Sequence, residues 1–318
     1  MIKVKPNKNV IFTTAVLNIN NPKDRKKFSL YEKIADKFEK LIPESFWIEF
    51  EKEYKNDNPL AILSRFNILS IYLDDKFVLV LTKEEEKEFI QNKYQRHISF
   101  FRNHLKKLYD DIDFDSFYKE NIEEDYEKLC EEIQEILDKK PNLLEELVDF
   151  WGLEYKPELI FVPNFVALGD CFGPRRGNTF YSLTSSKINK ESGEAMYNPT
   201  HVYSNTIHEL CHSFFKETIE VNYMGEEMEE KLKKLSLNED ILKTYNTRYF
   251  EECFVRAATM RLNEILNIYD VDSEALETKV ENYLLSNDNF GYFLVRKIYD
   301  KLKERKSESL QEIFDFVI

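Results

Sequence analysis

The sequence predicts an α+β protein in which helices dominate, and three observations carry that expectation. Only seven Gly and nine Pro occur in 318 residues, against 33% charged residues, a balance that argues against both an all-β fold and disorder. Apolar residues recur at helical spacing, as at Ile34, Phe38 and Ile42. Two stretches break this texture: Leu159–Leu168 and Thr179–Leu183 are rich in β-branched and aromatic residues, flank a Gly-containing loop, and read as a strand pair. With 42% hydrophobic and 14% aromatic residues, the chain can bury a sizeable core.

Taken in order, Val10–Leu17 reads as an opening strand. Its apolar run is too short for a signal peptide, carries two threonines, and precedes Asn-Ile-Asn-Asn-Pro in place of a small-residue cleavage site. Ser29-Leu-Tyr-Glu32 has the capping-box pattern and opens a helix. Asn58-Pro59 starts another that runs to Tyr72. Phe77–Leu81 reads as a short strand, and Thr82-Lys-Glu-Glu85 caps a long helix towards Tyr109. Asp115–Lys140 is one amphipathic helix with a solvated acidic face. Pro141 begins the next, and Gly152 ends it. Pro163 points to an edge or a bulge in the first strand of the pair. Asn198-Pro199-Thr200 supplies a turn and an N-cap for a helix over His201–Lys216, and the tail continues in helical segments that include Tyr249–Leu266 and Phe290–Lys303.

The net charge of −14 disfavours binding a nucleic-acid backbone. No stretch is long and apolar enough to span a bilayer. Cys130, Cys171, Cys211 and Cys253 lack C-x-x-C spacing, so neither a disulfide framework nor a zinc ribbon is expected, and reduced thiols in the cytoplasm fit best.

Chemistry concentrates at His208-Glu209-Leu210-Cys211-His212. Only five His occur in the chain, and His201, His208 and His212 fall within twelve positions. On a helix, residues four apart share a face, so both imidazoles of this H-E-x-x-H can reach one zinc ion while Glu209 serves as general base towards water. A third protein ligand is required, and Glu251 or Glu252 on the helix that follows can supply it if that helix returns antiparallel. A structural site that adds Cys211 and Cys253 is disfavoured, because Cys211 and His212 diverge by about 100° on one helix. Both thiols then read as small buried hydrophobes. Tyr245, Tyr249, Arg256 and His201 are candidate donors to a developing oxyanion, and Arg175 and Arg176 are candidate contacts for a substrate carboxylate.

His208-Glu-Leu-Cys-His-Ser-Phe214, followed by Glu252-Cys-Phe-Val-Arg-Ala257, resembles the glutamate-ligand branch of the zincin metallopeptidases. In particular it resembles a bacterial family of unknown function that pairs H-E-x-x-H-x-F with E-x-x-x-R-A. Cys211 stands where apolar residues are more usual in that family. The resemblance implies a zincin-like core with one zinc per chain on His208, His212 and Glu252, with Glu209 as catalytic base. It also ranks Arg256 first among the oxyanion donors, with orientation of the Glu252 carboxylate as an equally compatible role.

The expectation is therefore one catalytic unit over residues 1–318, with a mainly helical region at 1–156 and a zinc-bearing region at 157–318. Its activity would be that of a zinc-dependent metallopeptidase acting on a peptide or protein, which could add a strand to an edge at Leu159–Leu168 or Thr179–Leu183. The alternatives are a non-catalytic, zinc-stabilised partner-binding scaffold and hydrolysis of a non-peptide amide. Neither nucleic acid nor membrane is expected as a partner, and the sequence leaves the oligomeric state open.

Overall fold

Helices account for most of the chain in a computed structural model that describes residues 1–18, 29–168, 170–188, 195–222, 225–235, 237 and 239–318, and one small sheet completes an α+β architecture. Two compact units form. One comprises Lys3–Glu135 and Leu159–Asn198, and the other comprises Met1–Ile2, Ile136–Glu158 and Pro199–Ile318. This division departs from the boundary expected at residues 156/157. The cause is apolar packing: Phe165 and Val166 join the core built by the first helices, while Ile160, Val162 and Leu183 pack with Val10 and Leu63.

The chain opens with β1 (Ile2–Val4) and α1 (Lys8–Asn18), so the strand expected at Val10–Leu17 is a helix. A short run of mostly apolar residues has no period that separates the two states, and here every residue from Val10 to Val16, Thr13 and Thr14 included, is buried. Asn7 settles the matter locally, since its Oδ1 accepts from the backbone N–H groups of Asn9 and Val10 and so caps the helix. Next come α2 (Ser29–Leu41), α3 (Glu44–Tyr54) and α4 (Pro59–Ser70), the last capped by Asn58 as its sequence suggests. Phe77–Leu81 forms no strand, only an isolated bridge between Leu73 and Leu79. The capping box at Thr82 opens α5 (Lys83–Gln91), but Lys93 at φ +65° interrupts the helix expected to reach Tyr109. It resumes as α6 (Gln95–Phe100), a π-helical turn at Phe101–Leu105 and α7 (Lys106–Asp111). The helix expected over Asp115–Lys140 likewise divides, at Ile122, into α8 (Phe114–Asn121) and α9 (Glu123–Asp138).

The strand pair is β2 (Glu158–Leu168) and β4 (Thr179–Ile188), with β3 (Arg175–Arg176) and β5 (Ala195–Met196) beside it. Strand order is β1-β2-β4-β3, and β5 also pairs with β4. Each long strand has a neighbour on both sides, β2 between β1 and β4 and β4 between β2 and β3, although β1 spans only three residues and β3 only two. Pro163 is explained within this arrangement. Beyond the short β1, which is followed by the Lys5 N–H to Phe161 bond, the Pro163 carbonyl accepts from the Tyr126 hydroxyl, so its missing N–H breaks no ladder.

The other unit holds α10 (Leu143–Trp151), closed by Gly152 at φ +67°, then α11 (Pro199–Thr218), α12 (Glu226–Lys234) and α13 (Glu239–Tyr245). A 3₁₀ turn at Asn246–Arg248 leads into α14 (Tyr249–Ile265), α15 (Ser273–Asn289), α16 (Val295–Glu304) and α17 (Leu310–Val317). Packing of Phe215 and Phe254 against Trp151 and Phe314 joins α11 and α14 to α10 and α17. No helix among the described residues is long and apolar enough to cross a membrane.

His97 on α6 is wholly buried, its ring lies 5.1 Å from those of Tyr54 and Phe66, and neither ring nitrogen has a hydrogen-bond partner among the described residues. Burial pushes its pKa down to about 3, with the nearby Arg65 and Arg96 charges acting in the same direction. Below pH 6.5 the unfolded chain gains a proton that the folded chain refuses. Stability is therefore lost as pH falls from about 6.5 towards 3, at roughly 1.4 kcal/mol per unit. Denaturant melts at pH 7 and pH 5 should differ by about 2 kcal/mol on this account, and His97→Phe should remove that part of the difference; an unchanged pH slope in the variant contradicts it.

Candidate metal centre

Pro199 occupies the first position of α11, where a missing N–H costs nothing, and the helix buries Val202, Ile207, Leu210, Phe214 and Phe215. The residues left on the remaining stripe face α14. Three pairings fix how the helices lie: Ser204 meets Asn263, His208 meets Thr259, and His212 meets Glu251 and Glu252. As numbering rises on α11 it falls on α14, so the two run antiparallel.

This register brings His208, His212 and Glu252 together, with one potential ligand atom from each lying within 4.8 Å of the others. The Nε2 atoms of His208 and His212 lie 3.9 and 3.4 Å from the two Glu252 carboxylate oxygens. Each imidazole is held by its other nitrogen. Thr259 donates its hydroxyl proton to the Val255 carbonyl at 2.7 Å, so its oxygen accepts from His208 Nδ1–H at 3.3 Å. His212 Nδ1–H donates to Glu251 Oε1 at 2.9 Å. Both rings are thus oriented with Nε2 directed at the Glu252 carboxylate, the arrangement in which an outer hydrogen bond sets the tautomer of a metal-ligating histidine.

Glu251 and Glu252 are 1% and 6% exposed, and their charges need compensation. Burial would raise the pKa of Glu251, but the His212 hydrogen bond and the Lys216 and Arg248 charges hold it well below the carboxylate range. The same contest at Glu252 is won by Arg256, whose Nε donates to Oε1 at 2.6 Å, and by His212. Arg256 is itself fixed by Asn287, at 3.4 Å, and by the Tyr292 ring, 4.0 Å from its guanidinium carbon. Burial drives His208 down to about 3, so it stays neutral. Burial also opposes charge on His212, yet the two glutamates raise it to about 9, so in the metal-free chain they hold a second proton on this ring. A metal ion must displace that proton. Glu209 is 6% exposed, and burial lifts its pKa to about 7.

The donor set of two imidazole nitrogens and a carboxylate, with two further residues orienting the rings, has the composition of a three-ligand zinc site. The thiols of Cys211 and Cys253 lie outside the cluster, fully buried, and burial pushes both up to about 12. Of the other residues singled out from sequence, His201 bonds to Asn205 one turn along α11, and Tyr249 donates to the Gly291 carbonyl and accepts from Phe293 N–H. Tyr245 accepts from the Tyr292 hydroxyl. Arg175 bonds to the Gly177 carbonyl, and Arg176 to the Ile71 and Val80 carbonyls while lying over Tyr72. Sequence reasoning missed the roles of Thr259 and Glu251 as hydrogen-bond partners of the two rings. The signal available was the helical stripe that Thr259 shares with Glu252 and Arg256.

No known protein family, characterised protein or solved structure matches the chain.

Unequal roles for the two glutamates predict unequal losses on titration with zinc. Glu252→Ala should abolish stoichiometric binding, whereas Glu251→Ala should weaken it by about 10- to 100-fold, the usual effect of losing a partner of a ligating histidine. The reverse order would exchange their roles.

Proposed function

We propose that this chain is a zinc-dependent peptidase that binds one zinc per chain through His208 Nε2, His212 Nε2 and the Glu252 carboxylate. The observation that carries the reading is the convergence of these three donors within 4.8 Å while the opposite edge of each imidazole is already engaged. Zinc bound there supplies Lewis acidity, which polarises a carbonyl and acidifies water. Glu209, next to His208 on α11 and buried, takes the proton from the attacking water at a carboxylate oxygen and delivers it to the leaving amine. Burial raises its proton affinity into the range in which one carboxylate can both accept and return a proton near neutral pH.

Arg256 acts here as a positioning residue, because its contacts to Glu252, Asn287 and Tyr292 fix a carboxylate. A purely structural metal site would not require Glu209, which is what favours hydrolysis over the scaffold reading. None of the four cysteines forms a disulfide among the described residues, which suits a reducing compartment, so we assign the protein to the cytoplasm.

Elemental analysis of protein purified without added metal should find one zinc per chain. A chelator should remove it together with both peptide cleavage and some thermal stability, since binding is coupled to folding. Glu209→Gln should keep the zinc and lower cleavage at least about a hundredfold. Failure of the zinc-loaded wild type to cut any member of a broad peptide library would instead support the scaffold.

A further inference from the structure

An open cleft of about 1010 Å³ lies wholly within the unit that comprises Lys3–Glu135 and Leu159–Asn198, and no residue of the metal centre lines it. One wall comes from residues 53–65, at the end of α3 and in α4, and the other from residues 90–104, which run from α5 through α6 into the π-helical turn. Small-molecule sites usually enclose roughly 300–1,000 Å³ behind mainly apolar walls. This cleft has the size without the apolar walls. Apart from Ala61, Ile90 and Phe100, every residue that lines it is polar or charged, so a ligand that fits it is polar as well.

Arg65, Lys93 and Arg96 all line the cleft, and they are not equivalent. Arg96 is committed to the wall: one guanidinium nitrogen donates to the Glu53 carbonyl at 3.0 Å, another pairs with Asp57, and its face lies 5.0 Å from the Tyr54 ring. Arg65 is half-buried, with its guanidinium carbon 5.6 Å from the Tyr94 ring, and its N–H groups meet no acceptor among the described residues. The charges of both arginines act on the buried His97, which puts Arg65 in the same neighbourhood as Arg96. The Lys93 ammonium also has no hydrogen bond or ion pair among the described residues, and the residue is held at φ +65°, a conformation lysine rarely adopts. The acidic side chains of the wall do not neutralise these two cations. Asp57 is taken by Arg96, and Glu53 forms an ion pair with neither Arg65 nor Lys93. Asn103 and His104 reach the cleft from the π-helical turn, an element that is rare and recurs at functional sites, and His104 stacks on Phe100 at 4.7 Å.

We propose that this cleft binds a sugar or similarly hydroxylated metabolite that carries a phosphate or a carboxylate, with Arg65 and Lys93 holding the oxyanion. A guanidinium presents its donors as a fork that matches either oxyanion, and an ammonium adds a second point charge. The amides of Gln95 and Asn103, which both donate and accept, suit the hydroxyls of the ligand's body. Binding here requires neither zinc nor peptide cleavage.

Glucose 6-phosphate, glucuronate and glucose share one hexose body and separate the two oxyanions from each other and from the neutral sugar. Each is titrated into the full chain by calorimetry, with and without chelator. At least one of the two anionic probes should bind with one site per chain and about tenfold or more tightly than glucose, as a charge-assisted contact implies. That advantage should shrink as salt is raised and persist when chelator is present. Arg65→Gln and Lys93→Gln should each reduce it by about tenfold, Arg65→Lys should reduce it less, and none of the three should change zinc content. Thermal melts check the fold of each variant, and because Lys93 is exposed, Lys93→Gln decides the matter if loss of the half-buried Arg65 unfolds the chain. Preference for glucose 6-phosphate identifies the ligand group as a phosphate, and preference for glucuronate as a carboxylate. Equal binding of all three probes, binding of none, loss of binding with chelator, or an advantage that survives Lys93→Gln overturns the proposal.

Discussion

The candidate centre depends on one constraint: two adjacent glutamates must stay buried and charged where α14 meets α11. Successive helical residues diverge by about 100°, so a pair such as Glu251 and Glu252 cannot point at the same spot. They reach opposite edges of one ring instead, Glu251 at Nδ1 of His212 and Glu252 at Nε2. His208 then approaches Glu252 from one turn earlier on α11, with Thr259 behind it. The register of the whole helix pair follows from this grip, since a slip of one turn would leave two carboxylates buried without compensation.

Much of this was legible in the sequence because its clues are local. Four-residue spacing puts His208 and His212 on one face whatever the rest of the chain does, and an acidic pair downstream is the natural complement. The caps at Asn58 and Thr82, the stop at Gly152 and the strand pair at β2 and β4 are likewise set by nearby residues. What escaped was decided at long range. Val10–Val16 has no period that distinguishes strand from helix, and only its burial on all sides makes the helix productive. The breaks at Lys93 and Ile122 carry neither Gly nor Pro, so propensity gave no warning of them. The packing of the sheet with the first helices gathers residues more than a hundred positions apart, such as Val10 and Leu183 in one apolar cluster.

The choice between Glu251 and Glu252 shows the limit of a helical projection. On a helical projection of the sequence, Glu251 falls between Val255, Ala258 and Leu262 on the apolar side, where a carboxylate is costly, and Glu252 falls on a polar stripe with Arg256, Thr259 and Asn263, a composition that suits solvent as well as a cleft. Both are buried, so hydrophobicity does not separate them. Their partners do. Glu251 is surrounded by donors, namely His212 Nδ1–H, Arg248 and the more distant Lys216, and so resembles an anchor. Glu252 faces two Nε2 atoms, and the one guanidinium that holds it approaches from its own helix.

That guanidinium bears on why arginine stands at position 256. Its planar fork donates from Nε to Glu252 and from another nitrogen to Asn287, while its face lies 4.0 Å from the Tyr292 ring centre. The Tyr292 hydroxyl is in turn anchored on Tyr245 at 3.0 Å. Lysine could supply the charge but not the stacked face, and its single ammonium would let the carboxylate rotate. A carboxylate held by a flexible partner would swing towards His212, the stronger nearby donor, and its oxygens would leave the point where both Nε2 atoms converge. The aromatic support behind Arg256 therefore belongs to the candidate centre in the physical sense, because it fixes the arginine that holds Glu252. It turns a buried charge that would otherwise be free to collapse onto its neighbour into one of fixed direction.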